Sequence, residues 1–150
     1  MTDRIYRRRL PHIHLEGHVV FVTFRQSARQ PDSLGDAERD EVLAHIRRMA
    51  PGTCLAFVVM PDHVHLVYQP GMGETLATSL QALKGASSHT LTKKHGRHAP
   101  VWQEESYDHV VRDERELFET CRYVEGNPVR KGLVAAAEQY QWSSAWGRER

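Results

Sequence analysis

Two histidines separated by one valine, His63-Val64-His65, follow the apolar run Phe57-Val58-Val59-Met60 and the turn-like pair Pro61-Asp62. On a β-strand, residues two apart point to the same face. Both imidazoles therefore project together, while Val64, Leu66 and Tyr68 point the other way. Neutral imidazole is the commonest side-chain metal ligand. Two of them on one rigid strand make half of a divalent-metal site; the alternative is a half-exposed strand that carries two polar residues. A second group of residues, from Leu117 to Asn127, bears on the choice.

At about 100° per residue, Leu117, Cys121 and Val124 fall within about 60° of one another and form an apolar helical stripe. Tyr123 lies about 240° round from Leu117, and Asn127, four residues on, falls beside it if the helix reaches that far. By themselves these two read rather as a surface or secondary-core tyrosine and a helix-ending asparagine before Pro128. If the helix lies along the sheet face that carries the histidines, a phenol and an amide meet two imidazoles. The Asn127 amide oxygen would then be a third neutral metal ligand. A divalent ion there would polarise a phosphodiester as a Lewis acid, and the Tyr123 phenol could attack the phosphorus to give a covalent phosphotyrosine. A free phenol has a pKa near 10 and must lose its proton at or before attack. Tyr107 is the rival nucleophile, but it sits on a predicted strand with no amide four residues on.

These side chains need elements to hold them. Residues 17–25 are rich in β-branched and aromatic types and predict a first strand. Asp36 is the predicted cap of a helix over about 37–50, whose Val42, Leu43, Ile46 and Met49 recur at helical spacing before Pro51-Gly52. Residues 54–60 and 63–69 predict two strands joined tightly, and 75–94 a second helix with Leu76, Leu80, Leu83 and Leu91 in one stripe. A fourth strand is predicted over about 101–111. Asp113 caps a third helix expected to stop near 126, because the residue before proline avoids the α region. Residues 140–146 suit a short docked segment. The order predicts an α+β ferredoxin-like sandwich: a four-stranded antiparallel sheet with helices on one face, and a C-terminal helix that carries the tyrosine along the other.

The chain has 150 residues with 40% hydrophobic types, which suits one domain and one core. Within a single domain over 1–150, residues 1–16 form a basic N-terminal arm and 135–150 a C-terminal tail. The net charge of +1 neither favours nor excludes nucleic acid, since a local patch can coexist with a neutral total. Cys54 and Cys121 have no metal-like or redox-like spacing and read as reduced core thiols. No signal stretch follows Met1, and no run nears the roughly 18 apolar residues of a membrane span. The expectation is a soluble cytoplasmic protein with no membrane partner.

The block Tyr123-Val124-Glu125-Gly126-Asn127-Pro128-Val129-Arg130-Lys131-Gly132-Leu133-Val134, together with His63-Val64-His65, resembles the single-tyrosine HUH transposases, in particular their REP-associated branch. The likeness extends to Arg9-Leu10-Pro11-His12, Val22-Thr23-Phe24-Arg25, Met60-Pro61-Asp62-His63, Tyr107-Asp108-His109-Val110-Val111-Arg112-Asp113-Glu114 and Trp142-Ser143-Ser144. The resemblance implies cleavage and rejoining of single-stranded DNA, with Tyr123 as nucleophile leaving a 5′-phosphotyrosine and a free 3′-hydroxyl. It implies His63, His65 and Asn127 as ligands of magnesium or manganese; two imidazoles by themselves suit a softer ion than magnesium. The implied substrate is a REP-like DNA hairpin with an adjoining recognition tetranucleotide, bound by a monomer or a homodimer. Gly126 departs from the bulkier or polar residue more usual at that position.

Two basic clusters are candidates for tracking a phosphate backbone: Arg7, Arg8 and Arg9 in the arm, and Lys84, Lys93, Lys94 and Arg97 on and after the second helix. The alternative for each is a solvated face. Trp102, Trp142 and Trp146 suit packing better than base stacking. Two other function classes compete. One is a hairpin DNA- or RNA-binding protein without catalysis, which needs the basic clusters and not the His63–His65–Tyr123–Asn127 quartet. The other is a histidine-triad nucleotide hydrolase, disfavoured because the position that would continue the alternation is Val67.

Overall fold

A computed structural model describes residues 18–148. The basic arm with Arg7, Arg8 and Arg9 lies outside the described residues. Four strands and three helices follow in the order β1 (Val19–Arg25), α1 (Asp36–Arg47), β2 (Thr53–Val59), β3 (His63–Gln69), α2 (Leu76–His95), β4 (Tyr107–Val111) and α3 (Glu114–Arg130), with a 3-10 turn at Ala137–Gln139. All strand pairs are antiparallel and the sheet order is β2-β3-β1-β4, the ferredoxin-like arrangement expected.

Strand alternation sorts the side chains onto two faces. Val20, Val22 and Phe24 of β1 and Val64, Leu66 and Tyr68 of β3 are buried on one face. Helices α1 and α2 pack together there, and Val42, Leu43, Ile46, Leu83 and Leu91 join the core. Trp102 meets Phe24 edge-on, with ring centroids 4.9 Å apart, and donates its indole N–H to Ser87 Oγ of α2 at 2.9 Å. Phe21, Thr23, His63 and His65 project from the other face, which α3 covers. The stripe Leu117, Cys121 and Val124 anchors α3 and is buried; each apolar side chain of that size contributes about 1.5–3 kcal/mol by leaving water.

Three sequence expectations are corrected. The cap of α1 is Gly35, not Asp36: Glu38 reaches back so that its Oε1 accepts the Gly35 N–H at 3.0 Å, and Asp36 lies in the first turn beside the helix dipole. The fourth strand is shorter than expected, since 101–106 makes only a lone bridge, Trp102 to Gln26. Helix α3 also does not stop before proline. It runs through Pro128 to Arg130. Proline there lacks the one N–H that would have bonded to Val124, but the following turn closes with Lys131 N–H donating to Asn127 O at 3.0 Å and Leu133 N–H to Pro128 O at 2.9 Å. Gly132, at φ 74°, then takes the left-handed conformation that ends helices. Asn127 is therefore a helical residue, one turn from Tyr123.

The tail is docked as expected. Val59 N–H donates to Trp142 O at 2.8 Å and Ser144 N–H to Phe57 O at 3.0 Å, which covers the β2 edge of the sheet. The Trp142 indole N–H donates to Asp40 Oδ1 at 2.8 Å, and the Tyr140 hydroxyl donates to Val59 O at 2.6 Å. Glu125 of α3, only 3% exposed, is compensated by Arg148 at 2.7 and 3.0 Å and by the Ser144 hydroxyl. That ion pair ties α3, the helix that carries Tyr123 and Asn127, to the tail.

Candidate active site

His63 and His65 point to one face of β3, as the spacing requires, with ring centroids 4.7 Å apart. Both are buried, at 5% and 6% exposed, and so is Asn127, at 4%. Asn127 reaches from α3 to His63, its Nδ2 3.0 Å from His63 Nε2. Tyr123, one turn back on the same helix, sets its ring 6.0 Å from that of His65 and edge-on to Phe21, also at 6.0 Å. Tyr123 is half exposed, at 51%. All four side chains of the expected quartet meet within one chain.

Three residues that sequence reasoning did not assign complete the surroundings. Asp62 Oδ1 lies 2.7 Å from His63 Nδ1. A carboxylate only accepts, so Nδ1 carries the proton and Nε2 presents its lone pair toward Asn127. Thr23 Oγ1 bonds His65 Nδ1 at 2.8 Å, because the β1–β3 register sets Thr23 opposite His65. Phe21 lies beneath both His65, at 5.5 Å, and Tyr123. Asp62 was visible as the neighbour of His63, but strand alternation would have aimed it at the opposite face; it precedes the strand and turns back instead. No local signal could have found Thr23.

Burial holds both imidazoles neutral. Desolvation, followed by the positive charge His63 would carry if protonated and those of Arg25, Arg130 and Lys131, pushes His65 down to about 3. Desolvation also lowers His63, against the opposing pull of Asp62. Desolvation raises the Asp62 carboxyl, but the bond to His63 and the charges of His63 and Arg25 outweigh it, so Asp62 stays below its ordinary value and ionised. The donor chemistry fits a divalent ion. Two neutral imidazoles stand side by side, a carboxylate orients the first, and an amide closes the third side once its oxygen and nitrogen are exchanged by rotation of the terminal bond. Among the described residues there is no cluster of three or more His, Cys, Asp or Glu suited to a metal, so such an ion would need the amide and non-protein ligands to complete its shell. Arg25, Arg130 and Lys131, all exposed, lie close enough to His65 to act on it with positive charge, which suits a phosphate group.

Tyr107, the rival nucleophile, lies on the same sheet face, its ring edge-on to Phe21 with centroids 6.0 Å apart. His109 is held by Glu116 at 2.7 Å. The second basic cluster does not join the site, because α2 lies across the sheet from it. Arg97 is turned inward: its Nε and Nη2 meet Glu38 at 2.5 and 2.7 Å, its Nη1 meets Asp32 at 2.7 Å, and its side chain is 7% exposed. Lys84 is occupied by the carbonyls of Gln103 and Glu104, at 2.6 and 3.0 Å. Of that cluster Lys93 and Lys94 remain exposed, Lys94 with Glu41 at 3.7 Å. Trp102 and Trp142 are packed, whereas Trp146 is half exposed.

The chain belongs to the family described as "Transposase IS200 like", whose pattern matches residues 12–127. Its relatives include a Haemophilus influenzae protein named as a REP-associated tyrosine transposase, 28% identical over 104 residues, 63% of this chain and 59% of that protein. The REP-associated tyrosine transposase of Escherichia coli K12 is 23% identical over 144 residues, covering 93% of this chain and 81% of that one. The chain thus spans about three-fifths of the Haemophilus relative's length. A solved REP-associated tyrosine transposase bound to a REP hairpin shares the fold with a TM-score of 0.70 at 20% identity, over 89% of this chain and 80% of that one. A transposase-like protein from Deinococcus radiodurans R1 follows, with a TM-score of 0.52 at 21% identity over 77% and 95%. No helix among the described residues is long and apolar enough to cross a membrane.

Proposed function

We propose that this transposase-family chain cuts and rejoins single-stranded DNA beside REP-like hairpins, with Tyr123 as the nucleophile. The observation that carries the reading is the meeting of His63, His65, Asn127 and Tyr123 on one sheet face, with the positive charges of Arg25, Arg130 and Lys131 acting there. Binding without catalysis needs no such convergence.

His63, His65 and Asn127 would hold magnesium or manganese, which when bound withdraws charge from the phosphate oxygens. The chain's own groups do the rest. Asp62 and Thr23 fix the two imidazoles, Arg25 and Lys131 attract the phosphodiester, and α3 delivers the phenol beside His65. The phenolic oxygen attacks phosphorus and its proton leaves to solvent. The bond from phosphorus to the 3′ oxygen breaks, and that oxygen takes up a proton to become a hydroxyl. The 5′ phosphate remains on Tyr123 as a diester. Attack by a 3′-hydroxyl on this diester reverses the step and joins strands. One chain supplies every group, so the reaction runs in cis in a monomer and equally in each half of a homodimer.

The test is incubation with labelled single-stranded hairpin DNA and manganese. Wild type should form a covalent adduct that survives denaturation, and Tyr123→Phe should form none. An adduct that persists in Tyr123→Phe would overturn the nucleophile. Tight hairpin binding with no adduct from wild type would favour recognition without catalysis.

A further inference from the structure

We propose that Arg130, seated in the side-chain-free slot at Gly126, is the positioning residue that fixes the Tyr123 phenol for attack. The inference rests on the reading of Tyr123 as nucleophile. Residues 123, 126 and 130 share one face of α3, three and four positions apart. The Arg130 guanidinium lies over the Tyr123 ring, 4.1 Å from its centroid, and its Nη2 donates to the Tyr123 carbonyl at 2.5 Å. Between them is Gly126. A Cβ at that position would stand 2.9 Å from Arg130 Nη1, inside contact distance. The glycine thus provides the space through which the guanidinium folds back along its own helix.

The arrangement answers a need. A tyrosine with half its surface in water is free to swing between rotamers, and a nucleophile that swings loses the benefit of proximity. Phe21 and His65 bound the Tyr123 ring on the sheet side, each 6.0 Å away. Arg130 bounds it on the solvent side, and ties the same planar group to the backbone of the residue it stacks on. The stack is polarised, cation over ring. Any side chain at 126 would begin in the guanidinium's place, so the glycine is what seats Arg130 against its own helix.

The test compares Arg130→Gln, Arg130→Lys and Gly126→Leu with wild type, measuring hairpin affinity and the single-turnover cleavage rate at saturating DNA with manganese. Arg130→Gln and Gly126→Leu should cut about 10²-fold more slowly with affinity little changed. Arg130→Lys should recover part of the rate, since an ammonium can sit on the ring but cannot also hold the carbonyl as a planar fork does. Gly126→Leu is decisive because it keeps the charge and removes only the seat. A Gly126→Leu rate equal to wild type, or an Arg130→Gln defect confined to affinity, would overturn the proposal in favour of a plain phosphate contact. Protein labelled with 3-fluorotyrosine gives a readout independent of cleavage. The resonance missing in Tyr123→Phe should move in Arg130→Gln and Gly126→Leu, and an unmoved resonance would overturn the stack. A wild type that forms no adduct would overturn the transposase reading and the positioning role with it; active wild type with equally active variants would overturn the role of Arg130 alone.

Discussion

Acidifying the metal-free protein should destabilise it through His65, by an amount the geometry fixes. An unfolded histidine titrates near 6.5; in the folded chain, burial and the neighbouring positive charges push His65 down to about 3. Its folded value is the lower one, so the unfolded state binds the proton first. Its stability contribution is fully present above pH 6.5 and is lost as pH falls from there toward about 3. Each unit of pH within that window costs about 1.4 kcal/mol, so moving from pH 7.5 to 5.5 should remove about 1.4 kcal/mol. That is a visible share of the roughly 5–15 kcal/mol that holds a domain together. His63, lowered for the same reason, adds in the same direction. Urea unfolding in chelator across this range measures it, with His65→Gln as the variant that cannot titrate there. Wild type should lose about 1.4 kcal/mol more than His65→Gln between the two pH values. Parallel losses would mean that His65 is not held neutral by its surroundings, and the account of the pocket as a ready pair of neutral ligands would fail.

Other outcomes follow from the same structure. Manganese at about 100 times its dissociation constant should stabilise the protein by about 2.7 kcal/mol, a rise in Tm of about 5–10 °C for a domain of this size, and His63→Ala should show little of that rise; an equal rise in the variant would place the ion elsewhere. Arg97→Ala should cost about 1.5–3 kcal/mol, because the half-buried Glu38 carboxylate loses its guanidinium partner and is left with the Gly35 N–H, while hairpin affinity at fixed salt stays near wild type. A large loss of DNA binding with an unchanged Tm would restore Arg97 to the nucleic-acid surface.

Much of this protein was legible in order along the chain. The histidine pair, the apolar stripe of α3 and the offset of Tyr123 from that stripe follow from periodicities of two and 3.6 residues, which the backbone imposes wherever a strand or helix forms. The helix end was misread at Asn127-Pro128, because a proline near a C-terminus forfeits one hydrogen bond, and here the turns around Lys131, Gly132 and Leu133 keep the rest. Arg97's charge is visible in sequence, but its pairing with Glu38, 59 residues away, is not. Thr23 had no local signal, and Asp62 was visible only as a neighbour of His63, since their roles depend on the β1–β3 register and on the turn into β3. Local sequence set what each residue offers and which neighbours on its own element share its face, because those are consequences of covalent geometry. Only tertiary packing decided which charges were spent inside the fold and which lone pairs were left to act, because partner choice depends on which surfaces burial brings together.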